Sequence, residues 1–225
     1  MLSLSQLEFF EGLGSHHMEQ LSDAAVVLTL DKGEVVYLPG EQSDHLYIVA
    51  EGRIKVSKLS ETGKELTLAY HEPGEIFGEH TLLDGQPRRT MAVALLRSRI
   101  WAVPRENCLA LARASSAFAL RIGTIIGRRR HELENRMEKL VFRDVPARLA
   151  FQILWLADKY GVDKDGSLEI ELQLSQMELA NMIGATRETT STALNELKRE
   201  GILQTSHRKI IIKDLQRLKE LEEFL

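Results

Sequence analysis

Between residues 33 and 103 the chain alternates short runs of β-branched and apolar residues with turn residues. The runs fall at residues 34–38, 46–49, 53–58, 65–70, 91–95 and 99–103, punctuated by Pro39-Gly40, Glu51-Gly52, Thr62-Gly63, Pro73-Gly74 and Asp84-Gly85. Many short strands at roughly ten-residue spacing predict an antiparallel sandwich or roll. Helical patterns precede it at residues 5–13 and 18–25, and Pro104 opens another over residues 105–113. A longer helix then starts at Ser115 or Ser116. Its apolar positions Phe118, Ile122, Ile125, Leu133, Met137 and Leu140 step by three or four except where Arg129 interrupts. About seven turns beside a compact roll leave a face that one subunit cannot cover, so a coiled-coil-like homodimer seam is expected.

Beyond Asp144 and Pro146 the helical period resumes over residues 148–160. A polar loop over 161–166, a strand over 168–172, two helices around Gly184, a hairpin of 202–204 with 209–212 and an acidic-basic tail complete the chain. That is the element order of a winged helix-turn-helix. The expected fold class is therefore α+β: an antiparallel β-roll over residues 1–114, a dimerisation helix over 115–141 and a winged helix-turn-helix over 142–225, hinged near residues 142–145.

Composition changes this picture little. With 225 residues, 44% hydrophobic and 28% charged, the chain has the length for a core and is neither low-complexity nor disordered. The single Cys108 excludes an internal disulfide, a four-thiolate cluster and a zinc knuckle. No basic leader and no stretch of about 18 apolar residues is present, so a cytoplasmic protein with no membrane partner is expected. The net charge of −4 argues against nucleic acid, but residues 187–213 hold six Lys and Arg against three Asp and Glu. No nucleophile–base pair or metal-ligand spacing is visible, so no enzyme is expected.

That local positive charge surrounds a helix-turn-helix pattern. Ser175 stands at capping-box distance from Glu178, Leu179, Ala180 and Ile183 form an inner face, and Gly184 supplies the turn. Thr186 can cap the second helix, and Ala193, Leu194 and Leu197 pack it back on the first. Arg187, Glu188, Thr189, Ser191 and Thr192 are left at the end that a helix-turn-helix puts into the major groove. An arginine can bond guanine O6 and N7, a glutamate can accept from cytosine N4, and hydroxyls reach bases or phosphate. Lys198, Arg199, His207, Arg208, Lys209 and Lys213 are candidate phosphate contacts, and Ser175 and Gln176 complete the candidate DNA-contact set.

A second constellation lies inside the roll, in Phe77-Gly-Glu-His-Thr-Leu-Leu-Asp-Gly-Gln-Pro-Arg-Arg-Thr90. Gly78 lets a backbone approach a ligand, residues 79–83 can form a short helix facing an anion, and Arg89 with Thr90 can clamp a phosphate.

On these residues the chain resembles the family of the cyclic-AMP receptor protein and the fumarate-nitrate regulator over nearly its whole length. Arg187-Glu188-Thr189 matches the receptor-protein reading helix, whereas Thr192 stands where that type has a second guanine-reading arginine. The run Thr189-Thr-Ser-Thr-Ala-Leu-Asn195 resembles instead the carbon-monoxide-sensing haem branch. The resemblance implies a palindromic site in double-stranded DNA, with one guanine read by Arg187 and one cytosine by Glu188, and RNA polymerase as a partner. It also implies a cyclic-nucleotide cassette of Gly78, Glu79, Arg89 and Thr90, in which Glu79 takes the ribose hydroxyl. Where cyclic-AMP-responsive members place an adenine-contacting Thr-Ser pair, this chain has Leu133 and Glu134. Glu134 either accepts from a guanine base, which favours cyclic GMP over cyclic AMP, or pairs with Arg130 one turn earlier. Haem is the alternative cofactor, with His80 as axial ligand, although that branch carries a Cys where Gly78 stands. A ligand-free regulator and a nucleotide-binding module acting through protein partners are the remaining alternatives, and the last leaves Arg187 and Lys209 without a role.

Overall fold

The computed structural model describes residues 4, 7–164, 167–206 and 208–223, and its contacts divide the chain into two units, residues 1–132 and 133–225. The division falls inside the long helix.

In the first unit a short 3-10 turn, Glu8–Phe10, and helix α1, Ser15–Ala24, lead into eight strands. These are β1 (Val26–Leu30), β2 (Val35–Tyr37), β3 (His45–Glu51), β4 (Ile54–Leu59), β5 (Glu65–His71), β6 (Ile76–Phe77), β7 (Met91–Ala94) and β8 (Ser98–Pro104). They form two antiparallel four-stranded sheets ordered β1-β8-β3-β6 and β2-β7-β4-β5. Helix α2, Thr81–Asp84, lies between β6 and β7, and α3, Arg105–Ala114, follows β8. The expected roll is present, with two strands more than the six runs announce: β1 at its start and the two-residue β6. β1 follows α1 with no Gly, Pro, Asn or Asp between them, so nothing in the local sequence separates strand from helix. The helix expected at 18–25 begins earlier, at Ser15, and the one expected at 5–13 is reduced to the 3-10 turn among the described residues.

Both faces of the central strands are buried, and the twofold period of a strand assigns them to different cores. Leu46 and Ile48 of β3 join Trp101 and Val103 of β8 against Leu21, Cys108, Leu111, Phe118 and Ile122 from the helices. Tyr47 and Val49 of β3, with Ile100 and Ala102 of β8, face the interior of the roll with Tyr37, Ile54 and Phe77. Cys108 is buried, and burial pushes its thiol up to about 12, which leaves it an unreactive core residue.

Helix α4 spans Ser116–Phe142, and the Ser115 hydroxyl accepts from the Phe118 N–H at its start. Phe118 and Ile122 are buried, and Ile125 and Ile126 pack beside them. Later on the helix Leu133, Met137 and Val141, at steps of four, are exposed.

Beyond the end of α4 the second unit has four helices and a small sheet among the described residues. Asp144 caps α5 (Val145–Tyr160) by accepting from the Ala147 N–H at 2.9 Å, with Pro146 in the first turn. β9 (Gly161–Lys164) and β10 (Ser167–Ile170) follow, then α6 (Gln176–Ile183), α7 (Arg187–Arg199), β11 (Leu203–Ser206), β12 (Lys209–Ile212) and α8 (Leu215–Glu223). The sheet order is β11-β12-β10-β9. The loop expected at 161–166 is therefore largely strand: Val162 pairs with Glu169 and Asp163 with Leu168, and this pairing across the sheet is a tertiary choice that polar residues do not announce locally. The final tail is helical over α8, with Leu218 fully buried. Leu149, Ala150, Ile153 and Leu156 of α5 are buried in this core, as are Leu179, Ile183, Ala193, Leu194, Leu197, Ile210 and Ile212.

Among the described residues no single helix is long and apolar enough to cross a membrane. Ile153 has no exposed surface, so Ile153→Ala should cost about 2–5 kcal/mol through lost burial and a residual cavity. Urea unfolding followed on the second unit's Trp155 would measure it.

Candidate functional sites in the roll and the reader

β6 delivers the fully buried Phe77 to the roll interior, and Gly78 then turns the backbone with a φ of +72°. A Cβ there would stand 2.6 Å from Arg88 Nη1 and 3.2 Å from the Tyr47 ring, so both space and backbone angle demand glycine. The cradle is closed on its other side by Arg88. Its Nη1 donates to the Gly78 carbonyl at 2.9 Å and its Nη2 to the His45 carbonyl at 2.5 Å. The guanidinium lies 4.4 Å from the Tyr37 ring centre and 5.3 Å from that of Tyr47. Tyr37, Tyr47 and Phe77 stack in turn, and His71 also stacks with Phe77. Arg88 is 6% exposed, and its Nε is buried without a hydrogen-bond partner among the described residues. A buried cationic N–H left in this way is a donor suited to an anion.

Arg89, expected to be the clamp, points to solvent, and Arg88 takes the interior place. The reason is parity. Ala92 and Ala94 of β7 face the roll core, and counting back by two brings Thr90 and Arg88, not Arg89, to the same face. Thr90 shares a hydrogen bond with the Tyr37 side chain. The short helix expected over 79–83 is the four-residue α2, which starts two residues later.

Glu79 is 5% exposed and is held by Arg129 of α4, whose Nη1 lies 2.6 Å from its Oε2. Nη2 of the same arginine donates to the Ile76 carbonyl at 2.6 Å and lies 3.4 Å from His71 Nδ1. Arg129 falls where the apolar period of α4 asks for an inward residue after Ile122, Ile125 and Ile126, and that interruption was the sequence signal of a buried partner. Burial alone would raise the Glu79 pKa, but the Arg129 charge and hydrogen bond outweigh it and hold the carboxyl below its ordinary range. Burial pushes the His71 imidazole below its ordinary value, against the opposing hydrogen bond to Glu75, and a guanidinium facing Nδ1 favours the neutral ring.

His80 does not fit an axial haem ligand. Its side chain is 77% exposed, and it is accompanied by Gly78 rather than a thiolate. Glu134 is exposed on α4 within the second unit.

In the reader, the capping box is complete: Ser175 Oγ accepts from the Glu178 N–H at 3.2 Å, and Glu178 Oε2 accepts from the Ser175 N–H at 2.7 Å. These bonds occupy the Ser175 hydroxyl in capping the start of α6. Gly184 takes the left-handed conformation at the turn, and Thr186 caps α7 by accepting from the Thr189 N–H at 3.1 Å. The buried face of α7 is Thr190, Ala193, Leu194 and Leu197, so Arg187, Glu188, Thr189 and Thr192 are exposed and Ser191 and Gln176 half-exposed. The hydroxyls are partly used locally: Thr189 meets Thr186 at 2.8 Å and Thr192 donates to the Glu188 carbonyl. The Arg187 and Glu188 side chains make no hydrogen bond or ion pair among the described residues. Arg208 occupies the tip of the β11–β12 wing with a φ of +66°, Lys209 pairs with Glu169 at 2.6 Å, and Lys198 reaches Asn195 at 3.4 Å. His207 lies outside the described residues.

The Glu79–Arg129 pair generates a prediction with a definite sign. Glu79 with its lowered pKa contributes stability that is complete above its ordinary value of 4.5 and lost as pH falls through the lowered value; neutral His71 contributes stability that erodes once pH falls below its ordinary 6.5. The first unit should therefore weaken on acidification from neutral pH. Arg129→Ala, which strands a buried carboxylate, should cost roughly 3 kcal/mol at pH 7, and the deficit should narrow toward pH 4 as Glu79 takes up a proton. Urea titrations of both proteins across pH 4–8 test this, and a deficit that grows on acidification would contradict it.

Comparison with known proteins matches both parts of the chain to families. The cyclic nucleotide-binding domain family matches residues 27–115 and the Crp-like helix-turn-helix domain family matches residues 147–221. A protein of Mycobacterium tuberculosis named CRP-like cAMP-activated global transcriptional regulator is 28% identical over 215 residues, 96% of each chain. The cyclic AMP receptor protein of Thermus thermophilus is 32% identical over 190 residues, covering 84% of this chain and 85% of that one. A solved transcriptional regulator of the CRP/FNR family from the same organism superposes with a TM-score of 0.74 at 29% identity, over 88% of this chain and 99% of that one. A nucleotide-binding roll, a long helix and a Crp-like reader in this order, with relatives that are regulators and not enzymes, make the chain a member of the CRP/FNR family of transcription regulators.

Proposed function

We propose that the protein is an effector-gated regulator that binds a palindromic DNA site as a homodimer, with a cyclic nucleotide as effector. The observation that carries the reading is the ion pair between Glu79 and Arg129. It makes the ligand-facing carboxylate and the helix that leads toward the reader two halves of one contact, so a ligand that competes for Glu79 must perturb α4. Arg88, with its buried unpartnered Nε, would meet the phosphate beside Gly78, and Thr90 would stand at its edge. Glu79 would accept from the ribose hydroxyl. Arg89, on the solvent side, and exposed His80 would lie at the rim. Glu134 would either accept from a guanine base, favouring cyclic GMP over cyclic AMP, or pair with Arg130 one turn earlier.

The homodimer reading rests on Leu133, Met137 and Val141, an exposed apolar row on a helix of 27 residues. Two readers related by a twofold axis would place their α7 helices in successive major grooves about 34 Å apart. Arg187 would read guanine and Glu188 cytosine, while Thr189, Ser191, Thr192, Ser175, Gln176, Lys198, Arg208 and Lys209 would hold backbone or neighbouring bases. RNA polymerase is the expected protein partner at such a site, and the cytoplasm the expected compartment. A ligand-independent regulator is the second reading, favoured by Arg88 Nη1 and Nη2 already donating to backbone carbonyls.

Thermal unfolding with cyclic AMP or cyclic GMP separates these readings. A nucleotide at about 100 times its Kd should add about 2.7 kcal/mol to the folded state; Arg88→Ala should abolish the shift and Arg89→Ala retain it, and Glu134→Ala should erase any preference for cyclic GMP. No shift with either nucleotide would leave the ligand-independent reading. For the reader, Arg187→Ala should lose about 1–3 kcal/mol of discrimination at one guanine per half-site, whereas Lys198→Ala should weaken all DNA alike and reduce the salt slope by about one. Binding titrations on single-base variants of a selected duplex measure both.

A further inference from the structure

The last turn of α6 carries no basic residue, yet it ends buried against other elements at the turn that aims α7. The Gly184 and Ala185 N–H groups both go to the Ala180 carbonyl, which leaves the carbonyls of Met182 and Ile183 without a partner from their own helix. Two arginines from outside fill these places. Arg136, on α4, donates from Nη2 to the Met182 carbonyl at 3.0 Å, and Arg148, on α5, donates from Nη1 to the Ile183 carbonyl at 2.9 Å. Each puts a cation at the negative end of a helix dipole, where the interaction is favourable.

We infer that Arg136 and Arg148 are positioning residues for DNA reading, and that Arg136 is the point at which the long helix holds the recognition turn. Neither is on the reading face. They act by fixing the two residues before Gly184, and hence the direction in which Thr186 starts α7 and presents Arg187 and Glu188. Arg136 lies seven residues after Arg129, two turns along α4 and about 10 Å in rise. Arg129 fastens the helix to Glu79 and Ile76 in the first unit, and Arg136 fastens it to Met182 in the second. The inference rests on the DNA-reading function proposed above.

The test uses the full-length protein and a duplex selected from a random pool by the wild type, with a scrambled duplex as the non-specific probe. Failure of the wild type to select any duplex would overturn the DNA-reading function itself. Given a selected site, Arg136→Ala should reduce the ratio of specific to non-specific affinity about tenfold, the scale of one charge-assisted hydrogen bond. Arg136→Lys, which keeps a donor and the charge, should recover most of it, and Arg148→Ala should lower the same ratio. A merely destabilised unit would lose both affinities in proportion, with a lower Tm and no change in the ratio. That outcome, or a wild-type ratio in Arg136→Ala, overturns the inference.

Discussion

The first unit of this protein depends on one buried charge being neutralised from a distance in sequence. Glu79 is almost wholly removed from water, and a carboxylate there is tolerable only because Arg129 reaches it from α4. The same guanidinium closes the Ile76 carbonyl and faces His71, so one side chain satisfies three polar demands at the mouth of the roll. An apolar replacement of this cluster would cover the same surface without the electrostatic penalty. What the ion pair supplies instead is a polar contact, which in the function proposed above a ligand hydroxyl would share.

Arg88 follows the same logic with a different outcome. Its three nitrogens are distributed between two backbone carbonyls and an unmatched Nε, with its plane against tyrosine rings. The backbone bonds hold the guanidinium in one place, so in the anion-binding role proposed above it would lose little further freedom on binding. In the reader, the preparation is done by caps: Ser175 with Glu178, Thr186 with Thr189, and glycine at the turn between them.

Most of the architecture was legible in the sequence because it is written locally. Turn residues announce the strands of the roll, a three-to-four period announces α4 and α5, and the spacing of Ser175, Gly184 and Thr186 announces the two helices of the reader. What was not legible is decided by pairing across the chain. β1 and β9 have no boundary or alternation of their own and exist because β8 and β10 accept them. The place of Arg88 was available from strand parity but hidden by the adjacent Arg89, and Arg129 showed only as a flaw in an apolar stripe. Arg136 and Arg148 left no signal at all, since the carbonyls they meet lie more than thirty residues away.

The order β1-β8-β3-β6 sets the timetable on which the protein can be made. β8 is the last strand of the roll to be synthesised, yet it stands between β1 and β3 and contributes Trp101 and Val103 to one core and Ile100 and Ala102 to the other. Val26 must wait for Ala102 before it has a neighbour. Such long-range closure is slow, because the chain loses its entropy before the contacts return anything. Until residue 104 leaves the ribosome, the growing chain carries two unfinished apolar surfaces and an open sheet edge, the period in which it is most exposed to aggregation and most dependent on chaperones.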